Sequence, residues 1–119
     1  MQWLLTLLFV TGSLFAEVVV IASEGENVKA SVSGDASRCD YYIVTDSEGA
    51  VLKSMKNPHQ NVGGGASSHL VKLLHAEKAS HFIAAGVGMK LENALIADKI
   101  DYTIFDGSVE NAIKEYKSR

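Results

Sequence analysis

Residues 17–23 read EVVVIAS, and from Val18 to Ala22 the run carries no polar side chain. Successive side chains of a strand point to opposite faces, so a strand of this composition has to be buried on both. The rest of the chain must then supply covering layers above and below one sheet. With 119 residues there is enough chain for one such core and too little for two. Apolar residues make up 47% of the sequence, which places it with globular rather than disordered chains.

Strand-type and helix-type signals follow along the chain. Residues 24–38 are polar and turn-rich, with a short extended piece expected around Val32. Residues 39–46 (CDYYIVTD) and 50–57 (AVLKSMKN) flank Ser47, Glu48 and Gly49, which read as a hairpin turn. A helix is predicted from about Ser67 to Lys78, with Ala66, Leu70, Leu73 and Leu74 on one face and Lys72 and His75 pointing outward. Residues 80–86 (SHFIAAG) form another buried-type strand, followed by a helix over 89–98 with Leu91, Ala94 and Leu95 as its stripe. The last strand is 101–107 (DYTIFDG). Ser108 is placed to cap a final helix in which Val109, Ala112, Ile113 and Tyr116 recur at helical spacing. The predicted order is β-β-β-α-β-α-β-α, an α/β sandwich with a mixed five-stranded sheet.

Connectivity then places the loops. If the first three strands are joined antiparallel, the first and third run the same way, and βαβ crossovers make the fourth and fifth parallel to the third. Loops 24–38, 57–66, 86–89 and 106–108 open at one edge, beyond the carboxyl ends of the strands, where open α/β sheets bind ligands. Cys39, His59, Gly63–Gly65 and Gly86–Met89 are expected to converge there.

Several function classes drop out. The formal charge of −3 leaves no basic face for nucleic acid. No GxxxxGK(S/T) is present, and ASEGEN after the first strand is not GxGxxG. Between Glu17 and Glu24 the first strand has no carboxylate for a two-metal nuclease site, and no Ser–His–Asp or paired-carboxylate pattern stands out. A non-enzymatic role is expected. The single cysteine, Cys39, excludes a disulfide framework and zinc-finger spacing.

Residues 1–16 (MQWLLTLLFVTGSLFA) are apolar and uncharged, too short to span a bilayer comfortably, and fit an export signal cleaved after Ala16. Residues 17–119 would then be the domain, periplasmic or secreted, with no membrane span left and Cys39 a free thiol. No Lys or Arg precedes the run, and Leu14 stands where a small residue is usual. The alternative is an uncleaved first strand or anchor, and a cytoplasmic protein.

The stretch NPHQNVGGGASSHLVKLL (57–74) holds three consecutive glycines just before a helix. Helix N-termini present unpaired N–H groups and the positive end of the dipole, and preceding glycines let a bulky anion touch the backbone. A second such place is Gly86 and Gly88 before Met89. Cys39 follows Arg38, whose charge would favour a thiolate. His59 lies in the NPHQN turn, with solvent exposure as the alternative to metal ligation. His69, at the border of the first helix's stripe, could face the same loops. His75 reads as surface, His81 as the start of a strand, and Met55 and Met89 as packing. Sulfur and imidazole donors suit copper, zinc or iron–sulfur clusters better than magnesium or calcium.

The run VVVIASEG…VSGDASRCDYYIV…NP…GGGASSHLVKLL…HFIAAGVG…DYTIFDGSVENAIKEY resembles the dinitrogenase iron–molybdenum cofactor-binding family, which includes NifX, NafY and the C-terminal part of NifB. The resemblance covers residues 17–116, and its most specific parts are the glycine triplet, the strand ending in AGVG and the late G-x-V-x-x-A helix start. It implies an RNase H-like α/β fold and a carrier or scaffold that binds preformed metal–sulfur clusters and passes them on. Family members often show S-x-H-F-G-R-A after the first loop, with the histidine as a favoured cluster ligand. Here Ser33 and Arg38 match, Asp35 stands at the histidine position, Ser37 replaces the glycine, and Cys39 replaces a small residue.

The expectation is therefore a carrier for an iron–sulfur or molybdenum-containing cluster, or a soft metal, served by a donor or acceptor protein. Ser33, Arg38, Gly63, Gly64, Gly65, Gly86, Gly88 and Met89 would cradle the cargo, and Cys39 or His59 would bond metal. The alternative is a metal-independent interaction or sensor module on the same fold.

Overall fold

The run that had to be covered on both faces is the middle strand of the sheet. A computed structural model describes residues 17–119; the export signal expected over 1–16 lies outside the described residues. The elements are β1 (Val18–Ser23), β2 (Tyr41–Asp46), β3 (Val51–Lys56), α1 (Ala66–Ala76), β4 (His81–Ala84), α2 (Met89–Ala97), β5 (Asp101–Ile104) and α3 (Val109–Lys117). The strands lie in the order β3-β2-β1-β4-β5. β1 runs antiparallel to β2, with Val20 opposite Val44, and parallel to β4, with Val20 beside Phe82. β3 is antiparallel to β2 and β5 parallel to β4, the mixed arrangement of an RNase H-like sheet.

Strand periodicity divides β1 between two cores. Val20 and Ala22 pack with Tyr42, Phe82 and the Leu70 and Leu74 side chains of α1, and with Leu91 and Leu95 of α2. Val19 and Ile21 point the other way, onto Ile43, Ile83 and the Val109 and Ala112 side chains of α3. Two helices thus cover one face and one helix the other. Val20 and Ile21 are wholly buried, each worth about 1.5–3 kcal/mol of burial.

Several ends differ from the sequence expectation, and tertiary contacts explain them. β5 stops at Ile104, not Gly107: the Phe105 N–H makes the last rung of the ladder, to the Ala84 carbonyl, and β4 ends there, while Gly107 takes φ 150°. The piece around Val32 is no strand; it makes isolated bridges, Ser23 with Val32 and Ser31 with Ser108. α1 ends at Ala76 because Lys78 adopts a left-handed φ of 58°. No described helix is long and apolar enough to cross a membrane.

The strand directions put the ends of β1, β3, β4 and β5, and the start of β2, at one rim. The connections after β1, β3, β4 and β5 all open there.

Candidate functional site

The rim is built from two loops tied together by polar groups that the sheet leaves unpaired. Ser33 bridges the ends of β1 and β4: its N–H donates to the Ala22 carbonyl and its carbonyl accepts from the Ala85 N–H, both at 2.8 Å. The buried Ser33 hydroxyl accepts the Asp35 N–H at 3.1 Å, holding its own turn. Gly86 faces the Gly34 backbone closely enough that a Cβ there would lie 3.4 Å from the Gly34 oxygen. Asn57, only 5% exposed, donates from Nδ2 to the Ser37 and Cys39 carbonyls and accepts the His59 N–H on Oδ1. Arg38 Nη1 donates to the Val62 oxygen at 2.7 Å and to the Gln60 oxygen at 3.3 Å. Gln60 also donates to the Asp40 carboxylate. The 57–65 loop therefore hangs from the 33–40 loop.

The three glycines are not equivalent. Gly65 is the N-cap of α1 in the left-handed region, φ 74°, where a side chain is strained. Gly63 and Gly64 are exposed, have no positive φ, and a Cβ on either would meet nothing within 4 Å. Gly88, the extended N-cap of α2, likewise faces open space. The fold itself does not demand glycine at these three positions.

The helix starts beside them are bare. α1 has no side-chain cap and no acidic residue in its first turn. α2 also lacks a side-chain cap, and its one first-turn acid, Glu92, accepts the Tyr102 hydroxyl. α3, by contrast, is capped by Ser108 Oγ, which accepts from Asn111 N–H at 3.1 Å. Two helices thus present uncapped amides and positive dipole ends at the rim, a setting that favours anions.

The soft donors fall differently from the sequence expectation. Cys39, expected among polar residues at the loop edge, is 3% exposed and packs with Ala36 and Tyr42 beneath α1. Its thiol donates to the Tyr41 carbonyl at 3.1 Å. Burial pushes its pKa from 9.0 up to about 11, so it is a protonated thiol at neutral pH. Arg38, expected to favour a thiolate, turns instead to the loop carbonyls. Met89, read as packing and also placed in the expected cradle, does not pack: it is 78% exposed at the first position of α2, at the rim, whereas Met55 does pack against the core. His59 stacks on His69, with ring centroids 4.0 Å apart and planes at 11°. His69 lay outside the expected ligand set, and its border position on α1 was the only signal. His75 is on the surface facing Asp98, and His81 bonds Thr103 at the opposite end of the sheet.

Among the described residues, no group of three or more His, Cys, Asp or Glu side chains is placed to hold a metal ion. A solvent-open cleft of about 510 Å³ lies at the far end, lined by Ile96, Lys99, Ile100, Asp101 and Tyr102. It sits at the start of β5, away from the rim, and gathers none of the expected site residues.

Among solved structures, the chain is similar to the apo form of the orange protein from Desulfovibrio gigas, at TM-score 0.78 and 22% identity over 86% of this chain and 88% of that one. It is also similar to a putative NifB protein from Thermotoga, at TM-score 0.71 and 25% identity over 86% of this chain and 88% of the other. No curated protein sequence matches it significantly. Residues 17–119 match the family described as dinitrogenase iron-molybdenum cofactor, which spans every described element. The chain belongs to the dinitrogenase iron–molybdenum cofactor family.

Proposed function

We propose that this protein is a non-enzymatic carrier for an anionic metal–sulfur cluster, iron–sulfur or molybdenum-containing, taken up at the carboxyl rim of the sheet. The observation that carries the reading is the open space over Gly63, Gly64 and Gly88, which the fold leaves bare without needing glycine. Family membership supports the class of cargo. With no cage of three or more ligating side chains among the described residues, the fitting guest is one that brings its own sulfide ligands. Amides of Gly63–Gly65 and of the first turns of α1 and α2 would donate to those sulfides. Ser33 and Gly86 shape the floor, Arg38 adds positive charge beneath it, and His59 supplies a metal bond. Cys39 lies behind the floor, and its role in this reading is packing rather than ligation.

An open platform suits a cargo that must leave again. Exposed Met89 at the rim is a contact for a donor or acceptor protein. Removal of residues 1–16 as a leader would place this exchange in the periplasm or outside the cell, with a cytoplasmic protein as the alternative.

The test is oxygen-free incubation of the apoprotein with ferrous iron and sulfide, and separately with tetrathiomolybdate, followed by gel filtration and metal and sulfide analysis. The carrier reading expects about one cluster per chain. Neither metal co-eluting, together with capture of a partner protein by the metal-free chain, would favour the interaction module instead.

A further inference from the structure

His59 and His69 reach the same point from different elements, and both are held by their backbones. The His59 N–H donates to Asn57 Oδ1 at 2.9 Å, and the His69 N–H donates to the oxygen of Gly65 at 3.0 Å. Their half-buried rings lie face to face, 4.0 Å between centroids and 11° from parallel, one helical turn from the glycine triplet.

A metal-binding lone pair of imidazole lies in the plane of its ring. Metal–imidazole bonds are about 2.0–2.1 Å long. Two nearly parallel rings 4.0 Å apart cannot both aim a lone pair at one ion at that distance. Chelating a single ion would require one ring to leave the stack. Parallel rings can instead each face one of two metal atoms lying side by side. Sulfide-bridged metals lie somewhat closer together than these rings, so each imidazole would meet its metal at a slight tilt.

We propose that His59 and His69 are paired terminal ligands to two adjacent metal atoms of one polynuclear cluster, not a chelate for a single ion. The proposal rests on the carrier reading and deepens it. The amides would hold the sulfide face of the guest, the histidine pair its metal edge, and the buried Cys39 thiol takes no part. With no larger ligand cage among the described residues, the two imidazoles would take one terminal position on each of two metals, and the cluster's own sulfides and solvent would fill the others.

The test loads the apoprotein with ferrous iron and sulfide without oxygen and reads pulsed-EPR nitrogen couplings of the reduced cluster. Iron and sulfide counts and the rate of iron loss to a chelator are measured alongside. Variants are His59→Ala, His69→Ala and the double variant, with His59→Asn and His69→Gln as shape-preserving controls and a thermal melt for each. Expected are at least two iron atoms and two imidazole nitrogen couplings in the wild type. Each single variant keeps one coupling and loses iron at least about tenfold faster. A double variant that holds its cluster as long as the wild type overturns the pairing, as does a wild-type cluster without imidazole coupling or a single iron bound by both rings. Those results, and failure to take up iron and sulfide while tetrathiomolybdate still binds, overturn the pairing and leave the carrier reading standing, whereas a wild-type protein that takes up neither overturns both.

Discussion

The Arg38 guanidinium donates to the carbonyl oxygen of Val62 at 2.7 Å, one residue before the glycine triplet begins. The same nitrogen reaches the Gln60 oxygen at 3.3 Å, so one side chain sets the posture of the whole 57–65 loop. A charged donor to a neutral carbonyl is worth roughly 1.5–3 kcal/mol when buried, and less at this half-buried site. Arg38→Ala is expected to cost about 1–2 kcal/mol in denaturant unfolding. Amide exchange should speed up at residues 58–65 while β1 and β4 stay protected. Uniform loss of protection would show that Arg38 supports the fold generally.

The glycines should separate under substitution. Gly65→Ala places a Cβ in the left-handed region and is expected to cost about 1–2 kcal/mol. Gly63→Ala and Gly64→Ala should stay within about 0.5 kcal/mol of the wild type, because each side chain would enter empty space. Cluster uptake should nevertheless fall in both. Thermal melts and iron counts on the same three variants check the contrast.

The buried thiol gives a prediction in two parts. At neutral pH Cys39 should resist alkylation in the native protein and react at once in denaturant, with native labelling limited by opening of the fold. Its pKa is raised to about 11 in the folded chain, so between the ordinary 9.0 and that value the unfolded chain releases a proton that the native chain keeps. Stability is therefore full below about 9.0 and falls as the pH rises toward about 11. Cys39→Ala should remove the part of the alkaline loss that begins near pH 9, leaving the later part due to the buried Tyr42 and to Tyr116, and leave cluster uptake intact.

His81 works at the other end of the pH scale. Its pKa is lowered by burial first and by Arg119 second, while its Nε2 lies 2.6 Å from Thr103 Oγ1. The unfolded chain therefore takes up this proton at higher pH than the native chain does. Stability from this residue is present above the unfolded histidine pKa of about 6.5 and is lost as the pH falls through the lower folded value. His81→Gln should flatten the acid limb of a stability–pH curve, measured by urea unfolding from neutral to mildly acidic pH.

What the sequence revealed followed from local pattern. The unbroken Val18–Ala22 run and the helical spacings around Leu70, Leu91 and Val109 are enough to give the element order and, through strand direction, the shared rim. What it concealed is set by contacts distant in sequence. Cys39 stands between Arg38 and Asp40, which reads as a polar edge, yet α1 and Tyr42 close over it. Met89 starts a helix whose Leu91 and Leu95 face the sheet, and that rotation carries residue 89 into solvent. The His59–His69 stack joins a turn to a helix face, and no spacing rule encodes it. Asn57, which joins the two loops, looked like one half of an Asn-Pro turn and nothing more.

The central claim is that bare main chain at this rim receives the cargo, and amide chemical shifts test it most directly. Titrating ¹⁵N-labelled protein with tetrathiomolybdate without oxygen should move the amides of residues 63–68 and 88–91, with smaller shifts at 33–38. Residues 46–50 and 98–101, at the opposite edge, should not move. Shifts confined to that far edge, or none at any concentration, would contradict the account.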